Sequence, residues 1–165
     1  MPIKFTKENT ATLITPICTA NFIHLAEPVN NELTGKDEYG LVCVFEDDER
    51  TVEFTDLVYT TMETIKTLTF GDESANIPNV IKSESKSEVL KDKIYANFNN
   101  TKEVKLFDID KNDINGLDIT SGAKVKCAIR FYPYDKLGKR GVTYKLVGVQ
   151  MIEPGEPQST IKDLF

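Results

Sequence analysis

The sequence predicts a mainly β protein with one inserted helix, and three features carry that expectation. Stretches rich in Val, Ile, Thr and aromatic residues recur along the chain, several alternating with period two, and Gly, Pro and Asn punctuate them. A single segment repeats its apolar residues at helical spacing. At 165 residues the chain can build one domain with a real core and is too short for two of ordinary size, so these elements share one interior.

Residues 10–26 form a long extended segment in which Pro16 removes a ladder hydrogen bond, placing an edge or a bulge there. Pro28, Asn30, Asn31 and Gly35 supply the turn that follows. Residues 39–45 (YGLVCVF) are apolar enough for a central strand. The acidic run at 46–49 starts a helix, with Asp47 or Asp48 capping its free amides and the carboxylates favoured at the positive end of the dipole. Leu57, Val58, Met62, Ile65 and Leu68 continue it to Gly71, giving a helix at about 51–70 whose apolar stripe makes it a lid on a β core. Residues 83–93 (SESKSEVLKDK) read as a solvated loop or a short exposed helix.

Two short strands follow at 93–98 and 102–108, separated by the turn-prone pair Asn99-Asn100. With Val104 and Leu106 facing inward, Lys105 and Phe107 face outward. Residues 112–122 connect to a strand at 124–134, a glycine-flanked hairpin turn at 136–141 and a returning strand at 141–152. About five strands and one helix fit a small Greek-key barrel. The expected architecture is an OB-fold-like five-stranded barrel over residues 1–152, with a flexible C-terminal tail at 153–165.

Composition narrows the function. Apolar content of 40% with 28% charged residues is that of a soluble globular protein, and no apolar run approaches the roughly 20 residues of a membrane span. The N-terminus lacks the apolar core of a secretory signal, so a cytoplasmic protein without membrane partners is expected. Cys18, Cys43 and Cys127 are odd in number, lie in apolar strand-like stretches and form no CxxC, so they read as reduced core thiols and not as a disulfide set or a zinc site. His24 stands alone, and it reads as a satisfied polar residue on the first strand.

Residues 124–134 (KVKCAIRFYPY) are the most informative stretch. Val125, Cys127, Ile129 and Phe131 fall on one face; Lys124, Lys126, Ala128, Arg130, Tyr132 and Tyr134 fall on the other. Five of those six outward residues are cationic or aromatic and none is acidic. This combination suits a strand of phosphates whose bases offer flat π-faces, meaning single-stranded nucleic acid. The net charge of −6 argues against a polyanionic partner, but its distribution reverses the objection. Between residues 121 and 150 the chain carries seven cations, Lys124, Lys126, Arg130, Lys136, Lys139, Arg140 and Lys145, against Asp135 alone.

Tyr132 and Tyr134 stand two residues apart, about 7 Å, so successive bases can stack on them. Lys124, Lys126 and Arg130 track phosphates, while Lys136, Lys139 and Arg140 at the turn can close over the strand. Tyr144 and Lys145 on the partner strand point to opposite faces, so at most one shares the platform. Lys105, Phe107 and Tyr95 on the preceding strands complete the candidate set. Either a monomer or a homodimer is compatible with this chain.

Catalytic readings are weak. The chain has no GxGxxG or Walker-type loop and no nucleophile set beside a histidine in a known signature, so no catalysis and no cofactor or metal is expected. Asp108, Asp110 and the carboxylates at 46–49 could hold magnesium for a nuclease, but they read more simply as solvated charge and a helix cap. The remaining alternative is a protein-interaction or assembly module that buries its aromatic face against another chain. After Ile152 the chain turns polar and proline-marked, then ends in Ile161, Lys162, Asp163, Leu164 and Phe165. Such an apolar-acidic tip suits either a partner's groove or a site on its own domain.

The segments PICTANFIHLAEPVNN, DEYGLVCVFE, YANFNN and SGAKVKCAIRFYPYDKLGKRGVTYKLVGVQ, in this order and spacing, resemble bacteriophage single-stranded DNA-binding proteins of the helix-destabilising type. These are built on a single OB-fold with a C-terminal tail. The resemblance covers most of the chain from Pro16 to Gln150 and is most specific in the last block. It implies non-enzymatic, cooperative coating of single strands in phage replication or recombination, in the host cytoplasm. It places contacts at Arg130, Tyr132, Tyr134 and residues 136–140, and contacts with replication proteins in the tail at Ile161, Asp163, Leu164 and Phe165. The tail departs from the family pattern in carrying only Glu153, Glu156 and Asp163 as acids.

Overall fold

A computed structural model describes residues 3–71, 74–85 and 87–156. The elements run in the order β1 (Ala11–Ile14), β2 (Cys18–Asn31), β3 (Lys36–Phe45), α1 (Glu49–Phe70), β4 (Ile94–Asn100), β5 (Lys105–Phe107), a 3₁₀ turn (Gly116–Asp118), β6 (Lys124–Lys136) and β7 (Lys139–Glu153). The fold is mainly β with one helix, as expected, and the described residues form seven strands where about five were anticipated.

Five long strands form the ring of the fold. The hydrogen-bonded order is β4-β3-β2-β6-β7, and the sheet curls until β4 returns to β7, where Asn100 Nδ2 donates to the Leu146 carbonyl at 2.8 Å. The other two strands are short: β1, the first part of the expected segment 10–26, pairs with β6 antiparallel, and β5, inside the expected strand at 102–108, pairs with β7 in parallel. The extended segment at the N-terminus breaks at Pro16, so its first part leaves for the β6 edge while β2 joins β3. β2 then bends through two irregularities in its pairing with β3, the second spanning Pro28. Asn99 and Asn100, expected in a turn, are the last residues of β4.

Alternation on the strands fills the ring. Val125, Cys127, Ile129 and Phe131 of β6 are fully buried with Leu146 and Val149 of β7 and Phe98 of β4. Helix α1 is capped as its sequence dictates: the Asp48 carboxylate accepts from the Thr51 amide at 3.2 Å, and Gly71 closes the other end with φ of 64°. Its buried stripe, including Phe54, Val58, Met62 and Ile65, packs into the same core, and Phe54 lies 5.9 Å from Phe45. Leu68 departs from the expected stripe and is exposed. At the other end of the chain β7 runs through Glu153, and the Glu156 amide still bonds the Ser121 carbonyl at 2.9 Å, so the first tail residues lie on the domain. Ile161, Asp163, Leu164 and Phe165 lie outside the described residues.

Candidate nucleic-acid interface

β6 and β7 form one ladder from Lys124 opposite Glu153 to Lys136 opposite Lys139. The two-residue turn Leu137-Gly138 closes it, with both residues at positive φ as the favoured hairpin turn requires. Residues directly opposite share a face, so the register arranges the outer surface in rows. Tyr132 stands opposite Thr143, Arg130 opposite Lys145 with Thr12 of β1 beyond, Ala128 opposite Gly148, and Lys126 opposite Gln150. Phe107 of β5 extends the last row and Lys105 the one before it.

Tyr132 and Lys145 meet on this surface. The Lys145 ammonium sits 5.2 Å from the Tyr132 ring centroid, a cation–π contact that orients the ring and leaves a charge beside it. Partial burial raises the Tyr132 phenol above its ordinary range, so the ring stays neutral at physiological pH. Both residues line a polar cleft of about 420 Å³, across which β4 presents Asn97, Asn99 and Asn100 and the following loop presents Lys102. Asn100 is committed to the barrel seam, its side chain also accepting from the Lys102 amide at 3.0 Å. One carboxylate, Glu38, enters the cleft from β3 and accepts from Asn31 at 3.4 Å.

The expected pair on β7 divides between the two faces, although Tyr144 also lines the cleft. Lys145 takes the outward place, while Tyr144 turns inward to pack on Phe131 at 5.9 Å and edge-on to Phe98 at 6.1 Å. Burial raises the Tyr144 phenol accordingly. Tyr134 shares the outer face of Tyr132, but its ring covers Gly141, where a β-carbon would come within 2.6 Å of the tyrosine oxygen. Lys136 and Lys139 are exposed at the hairpin tip, and Arg140 pairs with Asp135 at 3.5 Å.

Two expected contact residues stand in other surroundings. The Lys124 ammonium donates to Thr19 Oγ1 at 2.7 Å, in a cleft that also holds Glu46, Asp48, Arg50 and Glu153. The three carboxylates of this cleft thus face two cations. Tyr95 lies on the outer face of β4 with Asn97 and Asn99, but it is only 7% exposed. It packs with Val42 and Leu90 beneath the segment preceding β4, and its hydroxyl donates to the Glu84 carbonyl at 2.7 Å.

The asparagines of β4 and Glu38 escaped the sequence reading. Their signal was present as the period-two spacing of Asn97 and Asn99 in YANFNN, which a turn assignment concealed. The cysteines also converge unexpectedly: the sulfurs of Cys18, Cys43 and Cys127 lie within 4.8 Å of one another, Cys43 and Cys127 at 3.4 Å. They could offer three ligands to a soft ion; burial raises the Cys43 thiol and opposes its deprotonation, while hydrogen bonds from Cys127 and Cys43 lower the Cys18 thiol. Asp108 is engaged in its own loop. Its carboxylate accepts from the amides of Asn112 and Asp110, both at 2.9 Å, and the Asn112 amide foremost holds it below the usual carboxylate range. His24 bonds the nearby Phe22 carbonyl at 3.1 Å, in keeping with a satisfied polar residue.

Over residues 12–162 the sequence matches the family described as Enterobacter phage Enc34, ssDNA-binding protein. The chain belongs to this family. The Enc34 protein solved in complex with ssDNA superposes with a TM-score of 0.71 at 13% identity, covering 95% of this chain and 97% of that one. Its C-terminal truncation gives 0.70 at 13% identity over 94% and 96%. The single-stranded DNA-binding protein gp2.5 encoded by bacteriophage T7 gives 0.59 at 13% identity over 93% and 92%. At such identities these likenesses speak for the fold. No protein of curated function matches the sequence. In this chain Lys126, Arg130, Tyr132 and Lys145 share the outer face of β6 and β7.

Proposed function

We propose that this chain binds single-stranded DNA without strong sequence preference and coats it during phage replication or recombination, with no catalytic step. The observation that carries this reading is the Tyr132–Lys145 pair beside Arg130 in an open polar cleft, on a chain of the Enc34 family. Tyr132 offers a stacking face that any base can use. Arg130 and Lys145 share one row and Lys126 stands two rows away, offering charge to phosphates, and Lys136 and Lys139 extend it to the hairpin tip. Asn97, Asn99 and Lys102 face the strand from the far wall of the cleft. Tail residues Ile161, Asp163, Leu164 and Phe165 are proposed to engage replication proteins, in the cytoplasm of the phage host.

Titration of labelled mixed-sequence oligonucleotides, single-stranded and duplex, at two salt concentrations tests this function. Single strands are expected to bind more tightly, with log affinity falling by roughly 0.7 per neutralised phosphate for each decade of salt. Equal affinity for duplex, or no salt dependence, overturns it and returns the outer face to the role of a protein-interaction surface.

A further inference from the structure

We propose that the apolar slot floored by Ala128 and Gly148 is a base-binding subsite, taking one unstacked nucleobase of single-stranded DNA between Ile14 and Phe107. This rests on the function proposed above and assigns a second anchoring point, two rows from Tyr132 on the same face.

Gly148 gives the first reason. Glycine weakens a strand interior, so its presence marks a turn, a crowded backbone or a close approach by something else. Every other glycine of this chain either adopts positive φ or has neighbouring atoms within 2.6 Å of where a β-carbon would stand. Gly148 does neither: a β-carbon there would meet the Lys105 carbonyl oxygen at 3.6 Å and Ala128 Cβ at 3.7 Å, ordinary contacts. The fold does not require the missing side chain, and its absence keeps the slot open.

The walls give the second. Ile14 stands on β1 directly across from Ala128 and is 58% exposed, an aliphatic side chain presented on an outer sheet face. Phe107 forms the opposite wall from β5. Its position is fixed from behind, because Gln150 Nε2 donates to the carbonyls of Asp108 and Ile109, both at 3.3 Å, while the Asp108 carboxylate ties the following turn. The slot is therefore preformed, and its volume of about 280 Å³ suits one base more than a larger ligand.

Charge gives the third and selects the occupant. Lys111 and Lys126 line the slot, and no carboxylate lines it among the described residues. Lys105 and Arg130 stand in the same and the adjacent row. An apolar slot ringed by cations matches a flat base carried on a phosphate chain. Ala128 and Tyr132 are four residues apart on β6, about 13 Å, so one extended strand reaches both anchors.

The test measures affinity of the full chain for a short mixed-sequence oligonucleotide in wild type, Phe107→Ala and Gly148→Val, with thermal unfolding of each. Phe107→Ala is expected to weaken binding roughly five- to hundredfold, the stacking increment. Gly148→Val, which fills the slot, is expected to weaken binding comparably with an unfolding midpoint equal to or above wild type. If Gly148→Val fails to fold, Phe107→Ala decides, since it truncates a wall that is only partly buried. Removal of single bases from the oligonucleotide gives an independent reading: wild type loses affinity at one position more than Phe107→Ala does. Tight binding by wild type with unchanged affinity in the folded variants overturns the subsite and leaves the proposed function standing. No binding by wild type overturns the function itself.

Discussion

The two ends of β6 obey the same alternation and differ in what surrounds them. At the Tyr132 end the outward residues meet Lys145, Thr143 and the amides of β4 across an open cleft. At the Lys124 end the outward ammonium is bound by Thr19 and faces the carboxylates of Glu46, Asp48 and Glu153. The same contrast separates Tyr132 from Tyr95, since both occupy outer faces and the segment before β4 covers only the second. Alternation decides the face of a residue; the elements that cross over it decide whether a ligand can reach it.

Substitutions at the two tyrosines should give the largest contrast. Tyr95→Ala is expected to cost about 3 kcal/mol of folding stability in denaturant unfolding, as truncation of a buried aromatic does, and to leave DNA affinity of the folded protein unchanged. Tyr132→Ala should do the reverse, keeping the unfolding midpoint while weakening single-strand binding by about 1–3 kcal/mol. Reduced DNA affinity in folded Tyr95→Ala would mean that the covering segment opens. The two ends of β6 are separated next: Arg130→Ala should flatten the salt dependence of log affinity by roughly 0.7, whereas Lys124→Ala should leave that slope intact. Equal slopes would return Lys124 to the phosphate path. A smaller effect, within about tenfold, is expected from Glu38→Gln, which removes the one repelling carboxylate of the cleft and should tighten binding at low salt. The mildest test is acidification. The Asp108 carboxyl is depressed in the folded state, so its support of the 108–112 turn is fully present above the ordinary carboxylate range, near 4, and is lost as pH falls through the lower folded value. The backbone amide resonances of Asp110 and Asn112 should therefore stay fixed from neutral pH to about 4 and shift only below it.

Local chemistry was legible where the outcome was itself local. The cap at Asp48, the stop at Gly71, the hairpin at residues 136–141 and the inward set of β6 follow from nearest neighbours along the chain, and the structure has them. Features set by contacts between distant segments were not legible. Asn99-Asn100 reads as a turn until β4 is seen to end on β7, and the covering of Tyr95 depends on residues that form no regular element. The meeting of Cys18, Cys43 and Cys127 brings three strands together across the core, and no spacing in the sequence encodes it. Phe107 was visible as an outward aromatic, but its slot needed the parallel pairing of β5 with β7.

The seam where Asn100 bonds Leu146 also sets an order of events during synthesis. Its partners are 46 residues apart, and β6 finds its complete partner only in β7, the last strand in chain order among the described residues. Pairings of this range make for slow folding, because loop-closure entropy is lost before the contacts compensate it. Until β7 arrives, β6 has one open edge and neither the Tyr132–Lys145 pair nor the floor at Gly148 exists. The nascent chain thus lacks the proposed binding surface until β7 arrives, and gains it in the step that seals the barrel.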